Sequence, residues 1–212
     1  MEFLKYHALG NDYLVSTSEH PGFSKNELTS EQVRKICHRN FGLGSDGILV
    51  GGKDDSGNCF TLKIYNPDGS TAEKSGNGLR IFARSLWDRK LVDHSKFKIV
   101  TSGGIVSAQV DSSGQSVTVE MGSVSFQSSI IPVTGESREV LNETLEISGV
   151  KLTFCSATIG NPHCVVLHRN ISAEETLRLG PLIETHPSFP NRTNVQFLEV
   201  LNRNTIRIEI WE

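Results

Sequence analysis

The chain has 212 residues, of which 37% are hydrophobic and 21% are charged, and its formal net charge is -3 at pH 7. This composition is too apolar for a disordered chain, and the length is enough for one large domain or two small ones. Because the chain is slightly acidic and has no run of lysine and arginine, we expect no nucleic-acid partner.

Membrane and metal partners are also disfavoured by the sequence. No apolar run approaches the roughly 18 residues of a membrane span, and the N-terminus, MEFLKYHALG, lacks the pattern of a signal peptide. We therefore expect a cytoplasmic protein that does not bind membranes. The cysteines are widely spaced and have no zinc-type pattern, so we expect buried thiols and no metal site at Cys37, Cys59, Cys155 and Cys164.

Most of the chain is predicted to form short strands bounded by turn residues. In the last strand, Ile206, Ile208 and Ile210 alternate with polar residues, which predicts one buried face. In chain order the predicted strands are FLKYHAL, YLVST, ILV at 48 to 50, CFTLKIYN, KFKIV, GIVSAQV, SVTVEM, KLTFCSATI, HCVVLH, TNVQFLEV and TIRIEIW.

Three helices are predicted, and two of them follow a capping-box pattern. Residues 30 to 39 follow Thr29 and Gln32, and residues 173 to 179 follow a serine and a glutamate in the same arrangement. The strongest helix covers residues 78 to 90. Its apolar side chains recur at helical spacing and need a sheet to pack against; they are Leu79, Phe82, Ala83, Leu86 and Trp87.

The mixture of many short strands and few helices indicates an α+β protein in which curved sheets wrap buried helices. A segment rich in Ser, Gly, Pro and Glu near residues 121 to 150 separates the chain into two parts. We therefore expect two domains, residues 1 to 120 and residues 121 to 212.

The polar loop before the strongest helix has the composition of an anion-binding site. Asn66-Pro67-Asp68-Gly69 is a turn signature, and Ser75 then precedes Gly76-Asn77-Gly78 at the start of the helix. Small residues let a ligand approach the backbone, and the first turn of a helix presents unpaired N–H groups, which suit a carboxylate. The same serine is equally typical of a plain helix N-cap.

Further amide side chains stand at the ends of predicted strands. Taken singly, each asparagine is more typical of a turn than of a ligand contact. Taken together, they indicate a polar binding site on a rigid scaffold. The set comprises Asn11, Asn66, Asn77, Asn161 and Asn194.

Several segments resemble, in order and spacing, the motifs of the diaminopimelate epimerase family. The resemblance implies two pseudo-symmetric domains, each a curved and mostly antiparallel sheet around a central helix, with the active site between them. It also implies cofactor-independent conversion of L,L-diaminopimelate to the meso form, for lysine and cell-wall biosynthesis, by two-base proton transfer at the α-carbon. The resemblance implies a small amino-acid substrate as the partner, and it is compatible with a homodimer. The segments are HALGNDYLV, FGLGSDGILV, YNPDGSTAEKSGNGLRIFARSL, TIGNPHCVVL, LGPLIETHPSFPNRTNVQFLEV and IEIWE.

The resemblance assigns roles to individual positions. His163 and Glu212 match residues that tune the catalytic pair, and Ser75 takes the position of the first catalytic cysteine. Gly76 and Asn77 match the donors that hold the substrate's α-carboxylate. The full set of positions matching substrate contacts is Asn11, Asn66, Gly76, Asn77, Asn161, Asn194 and Glu212.

Two departures from the family pattern lead us to expect little or no activity from this chain. A serine hydroxyl at position 75 is a far weaker acid than a thiol. The sequence also stops at Glu212, before the family's second catalytic cysteine and second central helix. The apolar sheet surface that this helix covers in the family would be exposed in a fragment, unless something else covers it. The alternatives are a racemase or isomerase of the same fold for another amino acid, and a non-catalytic ligand-binding paralogue.

Overall fold

The computed structural model describes residues 2–16, 27–54 and 56–211. These residues form thirteen strands and three helices. The chain divides into two compact units, Met1–Gly122 and Ser123–Glu212, and each unit is described by itself. None of the helices in the described part of the chain has the length and apolar character that a membrane-spanning helix requires.

The first unit contains two helices and eight strands. The helices are α1 (Ser30–Cys37) and α2 (Gly76–Asp88). The strands are β1 (Phe3–Ala8), β2 (Asn11–Ser16), β3 (Ile48–Lys53), β4 (Phe60–Tyr65), β5 (Thr71–Ala72), β6 (Phe97–Thr101), β7 (Gly104–Val110) and β8 (Val117–Glu120). They form one mostly antiparallel sheet with the order β1-β2-β3-β4-β6-β7-β8, in which β5 pairs with β4. The parallel pairs are β2 with β3 and β4 with β6.

The second unit contains one helix, α3 (Ala173–Glu184), and five strands. The strands are β9 (Glu143–Ile147), β10 (Val150–Thr158), β11 (Pro162–Leu167), β12 (Asn194–Asn202) and β13 (Thr205–Trp211). They form a sheet with the order β13-β12-β11-β10-β9 and one parallel pair, β11 with β12. Neither β5 nor β9 is predicted from the sequence, and β9 lies in the segment interpreted as a domain boundary.

The two units repeat one connectivity, which makes them pseudo-symmetric. In the first unit, β1 and β2 form an antiparallel pair, α1 follows, β3 lies parallel to β2, and β4 lies antiparallel to β3. In the second unit, β10, β11, α3, β12 and β13 follow in the same order with the same strand directions. The predicted α+β class with two related domains is confirmed.

Helix α2 forms because a serine caps its N-terminus and an apolar stripe runs along one side. The helix begins at Gly76 rather than at residue 78 and ends at Asp88 rather than at residue 90. Trp87 is only half-buried, although the rest of the predicted stripe is confirmed. The side chains of this stripe that are fully enclosed by the sheet are Leu79, Phe82, Ala83 and Leu86.

The other two helices also begin at their predicted caps. Thr29 and Gln32 form both hydrogen bonds of a capping box at α1, and Ser172 accepts the Glu175 N–H at α3. Helix α1 ends at Cys37 instead of residue 39. Helix α3 continues past the predicted residue 179 and through Pro181, because the turns around this proline bury apolar side chains against the second sheet.

Both faces of the first sheet are covered. Val15 and Leu49 point towards α2, whereas their neighbours Leu14 and Ile48 belong to a separate apolar cluster against α1. Alternate residues of one strand therefore serve two cores, as the period of a strand requires. Packing on one face of this sheet sets the position of α2 and of its N-terminus.

The second sheet is covered differently, and the prediction of a buried isoleucine face on β13 is wrong. Ile206, Ile208 and Ile210 are 56%, 47% and 52% exposed. The opposite face carries Trp211, which packs on α3 and donates its indole N–H to Glu184 Oε2 at 2.8 Å. The predicted strand is confirmed, but an alternation of apolar and polar residues does not indicate which face a helix covers.

The prediction that all four cysteines are buried is half correct. Cys37 and Cys164 are buried, whereas Cys59 and Cys155 are half-buried. Burial raises the pKa of Cys164 to about 12, so this thiol stays protonated at neutral pH.

Gly51 of β3 lies against Phe82 of α2, and this contact offers a stability test. A methyl group at Gly51 would lie 2.8 Å from Phe82 Cζ and closer still to the Thr61 carbonyl oxygen, whereas one at Gly52 would meet nothing within 4 Å. We expect Gly51→Ala to lower the free energy of unfolding by about 1–3 kcal/mol and Gly52→Ala to leave it nearly unchanged. Urea denaturation of both variants measures the difference, and equal midpoints would contradict this packing.

Candidate functional site

The first element of the site is the N-terminus of α2. Ser75 has extended backbone angles, and its hydroxyl oxygen accepts the Gly78 N–H at 3.0 Å, as in an N-cap. The N–H groups of Gly76 and Asn77 have no hydrogen-bond acceptor among residues 2–16, 27–54 and 56–211. Two backbone donors therefore remain for a ligand.

This helix tip is open within the first unit. Ser75, Gly76 and Asn77 are all half-buried, and the nearest atom to a methyl group placed on Gly76 would be Arg80 Nη1 at 3.6 Å. The positive end of the helix dipole and the Arg80 guanidinium are therefore close together. Both favour an anion at the tip.

A row of polar side chains runs from this tip into the sheet. Arg80 donates to Asn77 Oδ1, and Asn77 Nδ2 donates to Asn11 Oδ1 at 3.2 Å. Asn11 Nδ2 in turn donates to Asp46 Oδ2 at 3.1 Å. Each amide is thus held in one orientation by a charged group at one end of the row.

The row of polar side chains ends in an ion-pair cluster at the N-terminal end of β2. Asp12 accepts a hydrogen bond from Arg39 at 2.9 Å and forms an ion pair with Lys5 at 2.9 Å, and Arg39 also pairs with Asp46 at 2.6 Å. Burial opposes ionisation of Asp12, but the hydrogen bonds from Arg39 and Lys5 outweigh burial and hold its pKa well below the usual range. The cluster anchors the carboxylate that orients Asn11.

The lowered pKa of Asp12 makes part of the protein's stability pH-dependent. A depressed carboxyl pKa stabilises the fold above the unfolded value of about 3.9, and this contribution is lost as the pH falls through the folded pKa. We expect Asp12→Asn to cost about 1–3 kcal/mol at neutral pH and to flatten the loss of stability below about pH 4. Urea denaturation across pH measures both effects.

A suitable control for this prediction is Glu146→Gln, which changes an exposed carboxylate on β9. This variant should change the free energy of unfolding by less than about 0.5 kcal/mol. If the Asp12→Asn variant keeps the acid sensitivity of the unaltered chain, the ion-pair cluster does not stabilise the fold as described.

A cavity of about 580 Å³ lies beside this cluster. Its lining does not include Ser75, Gly76 or Asn77, so it is separate from the helix tip. Within the first unit, the tip is an open surface rather than the floor of this cavity. The residues that line the cavity are Lys5, Tyr6, His7, Gly10, Asp12 and Arg39.

Asn66 directly follows β4, at the same end of the sheet's strands as Asn11 at the start of β2. It follows Tyr65, which pairs with Ile48 at the start of β3, and Ile48 also pairs with Leu14 of β2. The predicted turn is confirmed, because Gly69 has a φ of 87° and donates to the Asn66 carbonyl. The Asn66 side chain donates to Ser70 Oγ at 3.0 Å and is therefore held by its own turn.

In the second unit, three of the predicted residues lie together at the N-terminal ends of the neighbouring strands β11 and β12. Asn161 directly precedes β11, and His163 of β11 pairs with Asn194 at the start of the parallel strand β12. Asn194 Nδ2 donates to the Pro162 carbonyl at 3.1 Å, and His163 Nδ1 lies 3.3 Å from Gln196 Oε1. These side chains are half-buried.

The predicted site residues thus form two groups, one in each unit. Asn11, Asn66 and the α2 tip belong to the first unit, and Asn161, His163 and Asn194 belong to the second. Glu212 lies outside the described residues. Their roles in binding and catalysis remain predictions.

Several residues of these groups are not predicted from the sequence. Arg80 has a signal, since it stands three residues after Asn77 and shares its helix face. Asp46 and Gln196 have none, because strand pairing rather than spacing brings them to Asn11 and His163. Within the described ranges, no group of three or more His, Cys, Asp and Glu side chains is placed to hold a metal ion.

Comparison with known proteins shows similarity along the whole chain. The sequence model of the family described as "Diaminopimelate epimerase" matches residues 3–127 and 155–212. The chain is 57% identical over 212 residues to "Diaminopimelate epimerase 2" of Nostoc sp., covering 100% of this chain and 73% of that protein. It is 35% identical over 218 residues to "Diaminopimelate epimerase" of Moorella thermoacetica, covering 100% and 76% of the two chains.

Solved structures of lower sequence identity share the fold. A hydroxyproline epimerase from Agrobacterium vitis, crystallised with bound trans-4-hydroxy-L-proline, superposes with a TM-score of 0.67 at 16% identity. The match covers 98% of this chain and 69% of that chain. The α+β fold is therefore shared with this solved structure.

Proposed function

Because the chain belongs to the diaminopimelate epimerase family, we propose that it binds L,L-diaminopimelate and moves the proton on its α-carbon without a cofactor. The family assignment makes the protein an isomerase of the amino-acid epimerase class. We propose L,L-diaminopimelate as the substrate and weak activity for this chain. We also propose that the product serves lysine and cell-wall biosynthesis.

One observation carries the proposal. The α2 tip offers two N–H groups, from Gly76 and Asn77, that have no acceptor in the part of the chain that the structure describes, and the Arg80 guanidinium lies close to them. A carboxylate accepts two hydrogen bonds from such a tip and gains from both the helix dipole and the arginine charge. The same donors would stabilise the negative charge that develops on the carboxylate when the α-proton leaves.

The neighbouring amides suit the remainder of an amino acid. Asn11 and Asn77 are locked in orientation, and a rigid amide accepts from an ammonium group through oxygen and donates through nitrogen. Asn161, Asn194 and His163 offer similar groups on the second unit. We propose that these residues contact the substrate, with His163 and Glu212 tuning proton transfer.

Ser75 limits the rate in this proposal. It stands at the helix tip, where it would face the α-carbon, but an alkyl hydroxyl has almost no alkoxide at neutral pH. Each pKa unit of mismatch costs about 1.4 kcal/mol in the population of the base. We therefore expect weak proton exchange. Because serine is such a weak base, a second candidate function is binding of the amino acid without turnover.

The test of the binding site compares two arginines on the same helix. Arg80→Gln removes the charge at the tip, whereas Arg84→Gln removes a guanidinium one turn further on, where it pairs with Asp88. We expect Arg80→Gln to weaken binding of L,L-diaminopimelate about 10- to 100-fold, because a charge-assisted contact is lost, and Arg84→Gln to leave it unchanged. Isothermal titration calorimetry measures both, and equal affinities for the two variants would remove the support for this site.

A further inference from the structure

Ser75 has a second hydroxyl group beside it. Tyr13 Oη lies 3.3 Å from Ser75 Oγ, within hydrogen-bond distance, and either oxygen can be the donor. Tyr13 is only 6% exposed, whereas Ser75 is half-buried at the open tip. The phenol therefore lies behind the serine, which is the member of the pair that a ligand at the tip can reach.

Strand register places the phenol there. Tyr13 of β2 is the direct partner of Tyr6 of β1, so both rings lie on the sheet face that packs against α2. The Tyr6 hydroxyl donates to Asp88 Oδ2 at 3.2 Å, at the C-terminal end of the helix. Two paired tyrosines thus reach opposite ends of one helix.

From this geometry we infer that Tyr13 is the proton-relay partner of Ser75 and supplies the acidity that a serine lacks. The inference rests on the proposed function, since it needs an amino acid held at the tip. A phenol ionises with a pKa of about 10, several units below an alkyl hydroxyl, so the pair holds far more base than serine alone.

The relay step conserves protons and electrons. The Tyr13 phenol first loses its proton to water, and the resulting phenolate accepts a hydrogen bond from Ser75 Oγ–H. Ser75 Oγ then forms a bond to the α-proton as the Cα–H bond breaks, and its own proton passes to Tyr13. The electron pair of the broken bond stays on the substrate, where the α2 N–H groups stabilise the charge.

The surroundings of the pair are compatible with this step. The Gly78 N–H donates to Ser75 Oγ and steadies the charge that moves through it. The Asp88 carboxylate, at the C-terminal end of α2, accepts hydrogen bonds from Tyr6 and Arg84. The titratable and charged side chains on the elements around α2 are Lys5, Tyr6 and His7 of β1, Asp12 of β2, Lys53 of β3, Lys63 and Tyr65 of β4, Lys98 of β6, Glu120 of β8, Lys74 before α2, and Arg80, Arg84 and Asp88 of α2.

The test follows α-proton exchange of saturating L,L-diaminopimelate in heavy water by NMR, as a function of pH. We expect the exchange rate of the unaltered chain to rise about tenfold per pH unit above neutral, because the phenolate population rises at that rate. Tyr13→Phe should slow exchange at least about tenfold and flatten the pH profile, with the ligand affinity unchanged. Phenylalanine keeps the ring and so preserves the packing.

Tyr6→Phe is the matched control, because it removes a phenol from the paired position and leaves Ser75 untouched. Its exchange rate and pH profile should equal those of the unaltered chain. Burial and the nearby Asp88 raise the pKa of Tyr6, so its own titration lies above the usual tyrosine range.

Each outcome decides the question. A ligand that binds while the unaltered chain shows no exchange, or a Tyr13→Phe variant that exchanges as fast as the unaltered chain, overturns the relay and leaves the binding proposal standing. Failure of the unaltered chain to bind the ligand overturns both. A slower, pH-flat Tyr13→Phe variant with normal affinity supports both.

Discussion

Ser75→Cys is expected to accelerate α-proton exchange in bound L,L-diaminopimelate by at least about 100-fold at neutral pH. A thiol has a pKa of about 8.5, and a helix N-terminus lowers it further, so a substantial fraction becomes thiolate where a serine holds almost no alkoxide. The substitution replaces one oxygen by sulfur at the half-buried α2 tip. Exchange into heavy water, followed by NMR, measures the gain.

Two controls accompany this variant. Ser75→Ala should show no exchange and should lose about 1 kcal/mol of stability, because the N-cap hydrogen bond to Gly78 disappears. Ser112→Cys places a thiol on an exposed loop and should leave exchange unchanged. If Ser75→Cys binds the ligand normally but exchanges no faster than the unaltered chain, position 75 does not face the α-carbon.

Asn11→Asp is expected to weaken binding of L,L-diaminopimelate by at least about 100-fold at neutral pH. The new carboxylate would stand where Asn11 Nδ2 now donates to Asp46 Oδ2 at 3.1 Å, so two negative charges would meet. The added charge would also oppose the substrate's carboxylate at the tip. Calorimetric titration measures the loss, and affinity should recover partly as the pH falls towards the ordinary carboxyl range.

The matched control is Asn58→Asp, an identical change on an exposed loop of the first unit. It should leave the affinity unchanged. Thermal denaturation of Asn11→Asp should show a folded protein, because the altered side chain lies at a strand end and outside the apolar cores. Undiminished affinity in a folded Asn11→Asp variant would place Asn11 outside the binding site.

The local elements that carry the helix tip could be predicted because their signals are local. A serine before Gly-Asn-Gly and an apolar stripe at helical spacing fixed α2 to within two residues at each end. The turn at Asn66 is also predicted from local sequence, because proline fixes its own φ angle and glycine allows a positive φ. Side chains that act within one turn of the chain are the ones that sequence patterns describe well.

Features that depend on which elements meet could not be predicted. The alternation of Ile206, Ile208 and Ile210 says that β13 is two-faced, but only the packing of α3 on Trp211 decides which face is covered. The extension of α3 through Pro181 has the same origin, because tertiary burial outweighs the local cost of proline.

The polar partners of the site escaped prediction for a related reason. Asp46 meets Asn11 because β2 and β3 pair, and Tyr13 meets Ser75 because β1 and β2 place the ring against α2. These contacts join residues that are far apart in sequence, and no spacing rule connects them. Arg80 was within reach of a helical-face argument, since it stands one turn after Asn77.

The most direct measurement is an NMR titration that follows the backbone amide signals of Gly76 and Asn77. On addition of L,L-diaminopimelate we expect both amide protons to shift downfield as their N–H groups donate to the α-carboxylate, whereas 1,5-diaminopentane, which lacks carboxylates, should leave them in place. Saturable binding of the amino acid without movement of these two signals, or an equal shift with the diamine, would show that the helix tip does not hold the carboxylate.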